Sequence, residues 1–406
     1  MSQNRINRRN FLKGTGAAGL GSVFAASRLH AGDEEEKTND ESKKSMIPMR
    51  SLGKTGTKVP ILSMGTMYNL VDNQIMLRRT LDLDVNYWDT AYSYARGNSE
   101  KGIGKFLGNN PDVRKNVFLT SKASGAHTPE RVEERLQESL KRMNTDYIDL
   151  YYCVHGMDEP EQLTPELKEW AEEAKKRGVI KNVGITTHEN MADCMNAAAE
   201  SGWIDAVMTS YNFRLMQRQD MQDAVEACNK AGVGLIAMKV IAEEQIKTEK
   251  DKELAGHFLE RGFTQGQAKI KAVLSDERFS CACVGMRTIT MLNENVAAAL
   301  DKTELTQADM DFLKAHAEAT CNGYCAGCSN ICEGAVPEVP YISEIMRYLM
   351  YYKRYGEKEM ARELFAEIPA DVRSRLASVN YKAAQARCPQ HMPIGTLMKE
   401  AAKKLA

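Results

Sequence analysis

Four residues of this chain have the types and spacing for chemistry at a carbonyl group. Asp89, Lys122 and His155 stand 33 residues apart at each step, and Tyr94 follows Asp89 by five. Hydride arriving at a carbonyl carbon pushes negative charge onto its oxygen, which must be protonated or stabilised as that charge develops. A tyrosine hydroxyl can give the proton, and a lysine ammonium beside it would lower its ordinarily high pKa. A carboxylate would hold the ammonium in place, and an imidazole would orient the carbonyl oxygen. Singly, an Asp, Lys or His at a strand end is a common solvated rim residue. Together, at one constant period, they need a frame that repeats with that period.

Such a frame is legible from Met46 onward. Short apolar runs recur at Val59–Met67, Val85–Tyr92, Val117–Ala123, Tyr147–His155, Ile180–Thr187, Trp203–Phe213, Val233–Val240 and Phe279–Met286. Amphipathic stretches lie between most of them, two opened by Thr128-Pro129 and Thr164-Pro165, a cap followed by proline in the first turn. Strands that alternate with helices must run parallel, because each crossover needs a helix. Eight such units predict an α/β fold, the (β/α)₈ TIM barrel; an open doubly wound sheet is the alternative, but no Gly-rich phosphate turn follows the first run. The turns at Gly53 and Gly56 predict a small N-terminal hairpin. In this barrel the four residues sit where strands end and loops begin, around one mouth.

The residues around the four carry a resemblance. Trp88-Asp89-Thr90-Ala91-Tyr92-Ser93-Tyr94, then Asn98-Ser99-Glu100 and Gly104, resemble the catalytic segment of the aldo-keto reductases. Lys122, the strand Asp149 to His155, and Arg177 to Ile185 are similar to further family segments, so the likeness spans residues 46–302. It implies an oxidoreductase interconverting a small-molecule carbonyl and alcohol with NADP, or NAD, held without a Rossmann fold. It also implies cofactor contacts from Thr186, Thr187, Tyr211, Met238, Gly285, Arg287, Glu294 and Asn295. Thr186-Thr187 stands where the family has Ser-Asn, Met208 where it has Gln, and Met238 where it stacks an aromatic ring on the nicotinamide. Arg287 is placed to pair with a 2′-phosphate. Two other readings stay open: a lyase or isomerase using Tyr94 and Lys122 for proton transfer, and a non-catalytic scaffold for a redox partner.

The N-terminus reads as an export signal. Arg8-Arg9-Asn10-Phe11-Leu12-Lys13 resembles the bacterial twin-arginine motif, and the mildly apolar stretch Gly14 to Ala26 is too short to span a bilayer. Residues 1–31 are therefore expected to be a signal peptide recognised by the twin-arginine export machinery, with a periplasmic destination. The charged segment 32–45 is expected to be a disordered linker. With 54 basic against 55 acidic residues and no basic tract, nucleic acid is not an expected partner.

Past residue 302 the alternation gives way to a helical, cysteine-rich tail, residues 303–406. Cys321, Cys325, Cys328 and Cys332 have the spacing C-x₃-C-x₂-C-x₃-C, and Cys388 precedes Pro389. The set resembles a ferredoxin run with a distant Cys-Pro ligand. It implies one [4Fe–4S] cluster on Cys321, Cys325, Cys328 and Cys388, with Cys332 an alternate ligand; zinc and disulfides are the competing readings.

Overall fold

The computed structural model describes residues 47–242 and 248–406, so the expected signal segment and linker lie outside the described residues. Strands β3 (Leu62–Gly65), β4 (Tyr87–Asp89), β5 (Phe118–Lys122), β6 (Ile148–Met157), β7 (Ile180–Thr187), β8 (Ala206–Ser210), β9 (Gly234–Met238) and β10 (Phe279–Gly285) close into a barrel, with β10 pairing β3. Every barrel pair is parallel, and the registers set Asp89 beside Thr120, Lys122 beside Tyr152 and His155 beside Thr186.

The first apolar run divides. Lys58–Pro60 (β2) pairs antiparallel with Met49–Ser51 (β1), and only Leu62–Gly65 enters the barrel. Pro60 has no N–H to give a second ladder, which is why the run breaks there. The hairpin sends Leu52 into the barrel interior with Tyr87, Leu150, Tyr152, Met208 and Ile236. Fully burying one leucine contributes about 1.5–3 kcal/mol. At Gly53 (φ +49°) a Cβ would come 2.3 Å from the Gly232 oxygen, so only glycine lets the hairpin seat this deeply.

Helices form the outer shell: α1 (Gln74–Asp82), α2 (Asn98–Asn109), α3 (Pro129–Met143), α4 (Pro165–Lys176), α5 (Met191–Ser201), α6 (Gln219–Ala231), α7 (Glu249–Glu260), α8 (Gln265–Leu274) and α9 (Ile289–Leu300). Val132, Leu136, Leu140 and Met143 give α3 its apolar stripe, and the hydroxyls of Thr128 and Thr164 cap α3 and α4.

The tail adds α10 (Gln307–Ala319), α11 (Ser329–Glu333), α12 (Ile342–Lys353), α13 (Lys358–Glu367), α14 (Ala370–Arg375), α15 (Lys382–Arg387) and α16 (Ile394–Lys404). Ile345, Leu349, Phe365, Leu376 and Met398 build a core of its own. The tail docks on the loop after β7: the Asn190 N–H donates to the Gly327 oxygen at 2.7 Å. A Cβ on Gly327 (φ +77°) would meet the His188 oxygen at 2.2 Å. Among the described residues no helix is long and apolar enough to cross a membrane.

Candidate active site

The four residues meet at the C-terminal mouth of the barrel. Lys122 Nζ donates to Asp89 Oδ1 and to the Thr90 carbonyl, each at 2.7 Å, and Thr120 Oγ1 donates to Asp89 Oδ2 at 2.8 Å. The same Nζ lies 4.8 Å from the centre of the Tyr94 ring. The Tyr94 and His155 rings stand edge to face with centres 6.3 Å apart. His155 Nδ1 and Ser124 Oγ share a hydrogen bond of 2.7 Å, which leaves Nε2 for the mouth. Burial, then the charges of Lys122 and Arg347, pull the imidazole down to about 3, so it is neutral at physiological pH.

One expectation is reversed. Burial first and the Asp89 charge second push the Tyr94 phenol well above its ordinary value. Lys122 Nζ lies over the Tyr94 ring and is paired with Asp89.

The loop carrying Tyr94 is braced from below and strained above. Arg142 Nη1 donates to the Tyr92 oxygen at 2.9 Å and to Glu100 at 3.1 Å, while Ser121 Oγ donates to Glu100 at 2.6 Å. Ser99 Oγ sits 2.8 Å from the hydroxyls of both Thr66 and Thr90. Directly after Tyr94, Ala95 (φ 48°) and Arg96 (φ 54°) both adopt left-handed backbone. That conformation costs roughly 1–2 kcal/mol per non-glycine residue and persists only where surroundings impose it. Arg96 is paired with Glu363 of α13.

The expected cofactor positions divide. Gly285 opens onto empty space at the end of β10, Glu294 is exposed, and the buried Asn295 has a side-chain N–H without a partner. Arg287 is half-exposed and already paired with Glu357 of the tail. Thr186 Oγ1 accepts from the Gly156 N–H at 2.9 Å, and the Thr187 hydroxyl donates to the Glu189 carbonyl at 2.8 Å. Met238 is half-buried above the barrel interior. Tyr211 departs from expectation: it is fully buried, stacked on Phe279 at 4.2 Å, and its hydroxyl donates to Asp276 at 2.7 Å. These contacts place Tyr211 in the shell, with no face toward the mouth.

Sequence reasoning missed what the tail brings. Arg347 of α12 pairs with Glu189 at 3.4 Å, just past the end of β7. Lys239, directly after β9 and itself left-handed (φ 55°), holds its Nζ 4.3 Å from the centre of the Tyr351 ring. Glu189, Glu333 and Glu344 gather within 4.8 Å, and burial pushes all three up, with Arg347 pulling Glu189 and Glu344 back. The only sequence signal was the aromatic character of α12, which says nothing of where the helix docks.

Four cysteines line a second cavity: Cys325, Cys328, Cys332 and Cys388, with Ile331, Met346 and Met392 among its apolar walls. Cys321, in the turn Cys321–Gly323, is not among its lining, whereas Cys332 is. The extra residue in the first C-x₃-C gap leaves Cys321 off the cavity, while the turn of α11 brings Cys332 back to it. No disulfide joins the ten cysteines. Burial pushes the Cys325 thiol up to about 12.

The comparisons agree with this architecture. The aldo/keto reductase family matches residues 62–318, and a twin-arginine translocation (TAT) pathway signal sequence matches residues 5–25. L-galactose dehydrogenase of Arabidopsis thaliana is 25% identical over 297 residues, 65% of this chain and 91% of that protein. L-glyceraldehyde 3-phosphate reductase of Escherichia coli O157:H7 is 24% identical over 316 residues, 64% of this chain and 91% of that protein. The holo form of an aldo-keto reductase from Bacillus halodurans shares the fold with a TM-score of 0.56 at 21% identity, covering 70% of this chain and 98% of its own. The chain belongs to the aldo/keto reductase family. It is an NAD(P)-dependent oxidoreductase of carbonyls and alcohols that carries a signal for twin-arginine export.

Proposed function

We propose that Tyr94 transfers the proton to and from the substrate oxygen, and that His155 orients that oxygen through Nε2. Lys122 and Asp89 anchor the site electrostatically beside the Tyr94 ring. The observation that carries the reading is the convergence of these four side chains at one mouth, with the Tyr94 and His155 rings 6.3 Å apart. A phenol held above its ordinary pKa stays protonated, so the arrangement suits reduction at neutral pH. A neutral imidazole donates one hydrogen bond without competing for the proton.

The orphaned Asn295 amide and the open space at Gly285 fit the adenosine end of a dinucleotide. Arg287 fits a 2′-phosphate, and so NADP, once it exchanges Glu357 for that group. When bound, the nicotinamide supplies or accepts the hydride. Thr186 is the remaining hydroxyl at the carboxamide end, since Thr187 is committed to the Glu189 carbonyl.

Four thiols line one small apolar cavity, a donor set of the kind that holds an iron–sulfur group or zinc. A [4Fe–4S] cluster on Cys325, Cys328, Cys332 and Cys388 is the reading; it would supply a one-electron couple. With a periplasmic destination, where free NADPH is scarce, the dinucleotide is retained under the tail. It is recycled by a second substrate that returns a hydride at the same site, or by a redox partner that delivers two single electrons in succession through the cluster together with one proton from solvent. Purification of the exported protein followed by nucleotide release should yield bound NADP(H), and added NADPH should be oxidised by an aldehyde. Absence of both would overturn the reading.

A further inference from the structure

Lys239 and the tail helix α12 build a second polar pair over the mouth, outside the four residues already described. Lys239 leaves the C-terminal end of β9 in left-handed backbone, with its carbonyl accepting from Asn212 Nδ2 at 3.2 Å and from the Ala242 N–H at 3.0 Å. That geometry directs Nζ at two rings of the tail, 4.3 Å from the centre of Tyr351 and 5.6 Å from that of Tyr355. Tyr351 is 5% exposed, so the pair is enclosed by the tail. One helical turn earlier, Arg347 reaches Glu189 beside the end of β7. The first turns of the same helix, Ile342, Ser343 and Met346, wall the thiol cavity, so α12 is a rigid link between that cavity and the mouth.

We infer that Tyr351, held by Lys239, contacts the substrate and receives a hydroxyl neighbouring the reacting carbon, so that the tail selects hydroxylated carbonyl compounds. The inference rests on the carbonyl reduction proposed above. The electrostatics agree with it. Tyr351 faces Lys239 just after β9, Arg347 on its own helix, Glu189 from the β7 loop, and the rings of Tyr348 and Tyr355, and a charge on it is felt at Tyr94. Lys239 and Arg347 outweigh burial and pull its phenol below the ordinary value, whereas burial raises Tyr94. The mouth thus holds two unlike tyrosines: one kept as a proton donor, the other polarised toward accepting a hydrogen bond. Lys239 is a positioning residue, acting through Tyr351.

L-glyceraldehyde and propionaldehyde, three-carbon aldehydes with and without hydroxyls, separate the roles. With NADPH, Tyr351→Phe should lower the ratio of kcat/KM for glyceraldehyde over propionaldehyde by about tenfold or more, the worth of one hydrogen bond to a polarised partner. Lys239→Gln should lower the same ratio, and in a spectrophotometric titration it should delay an early phenolate component that Tyr351→Phe removes. A ratio unchanged in both variants, with wild type active on both aldehydes, overturns this inference and leaves the reduction standing. Wild type inactive on both aldehydes overturns the reduction, and this inference with it. An early phenolate that survives in Tyr351→Phe overturns the assignment of the polarised tyrosine.

Discussion

Lys122 Nζ donates to Asp89 Oδ1 at 2.7 Å, and the two side chains are only 1% and 3% exposed. An ion pair this dry is stable only as a pair, since removing one partner strands the other charge in a low dielectric. Asp89→Asn should therefore destabilise the fold by about 3–5 kcal/mol, measured by urea denaturation. Removing both charges in Asp89→Asn/Lys122→Met should recover part of that loss. Additive losses would show that the two charges do not depend on each other.

The pH dependence follows from two displaced groups. Tyr94 is raised, so its proton-donating form persists beyond the ordinary phenol range and the reduction rate should be flat through neutral pH. Alcohol oxidation needs the phenolate and should climb steadily with pH. His155 titrates at about 3 in the fold against an ordinary value of roughly 6.5, so its neutral form binds fewer protons than the unfolded chain between those limits. Its stabilising contribution is present above about 6.5 and is lost as the pH falls toward 3, by up to about 1.4 kcal/mol per unit. An acidic limb near 6.5 in the reduction profile, abolished by His155→Gln, would contradict a neutral imidazole.

Arg287 is tied to Glu357 across the boundary between barrel and tail. If that arginine serves a 2′-phosphate, Glu357 competes for it. Glu357→Gln should tighten NADPH binding several-fold and leave NADH binding unchanged, as followed by quenching of protein fluorescence. Equal effects on both dinucleotides would remove Arg287 from the phosphate site.

The thiol assignment separates two cysteines four residues on either side of Cys328 and Cys325. Cys332→Ser should lose the iron and the visible absorbance that dithionite bleaches, whereas Cys321→Ser should keep both. The reverse outcome would restore the spacing first read from the sequence.

Much of the barrel was legible because its signals are local. Apolar runs, Thr-Pro caps and the constant step between Asp89, Lys122 and His155 each need only a short window of sequence, whereas the registers do not follow from that step: they set Asp89 beside Thr120 and Lys122 beside Tyr152, two and three residues short of it. Tyr211 was misplaced because a tyrosine just past a strand can turn toward the mouth or into the shell, and Phe279 and Asp276, far along the chain, decide which. The tail was legible only as helices. That α12 lies over the mouth depends on Arg347 meeting Glu189 and Tyr351 meeting Lys239, contacts between residues more than a hundred positions apart. That Cys332 lines the cavity with Cys325, Cys328 and Cys388 was not legible, because spacing alone does not reveal how α11 turns its thiol.

Single-turnover reduction of an aldehyde by the NADPH-loaded protein, comparing wild type with Tyr94→Phe, tests the central claim most directly. The account predicts that Tyr94→Phe binds NADPH as wild type does and slows the chemical step by about 10²–10⁴-fold. Reduction at the wild-type rate without the Tyr94 hydroxyl would contradict it.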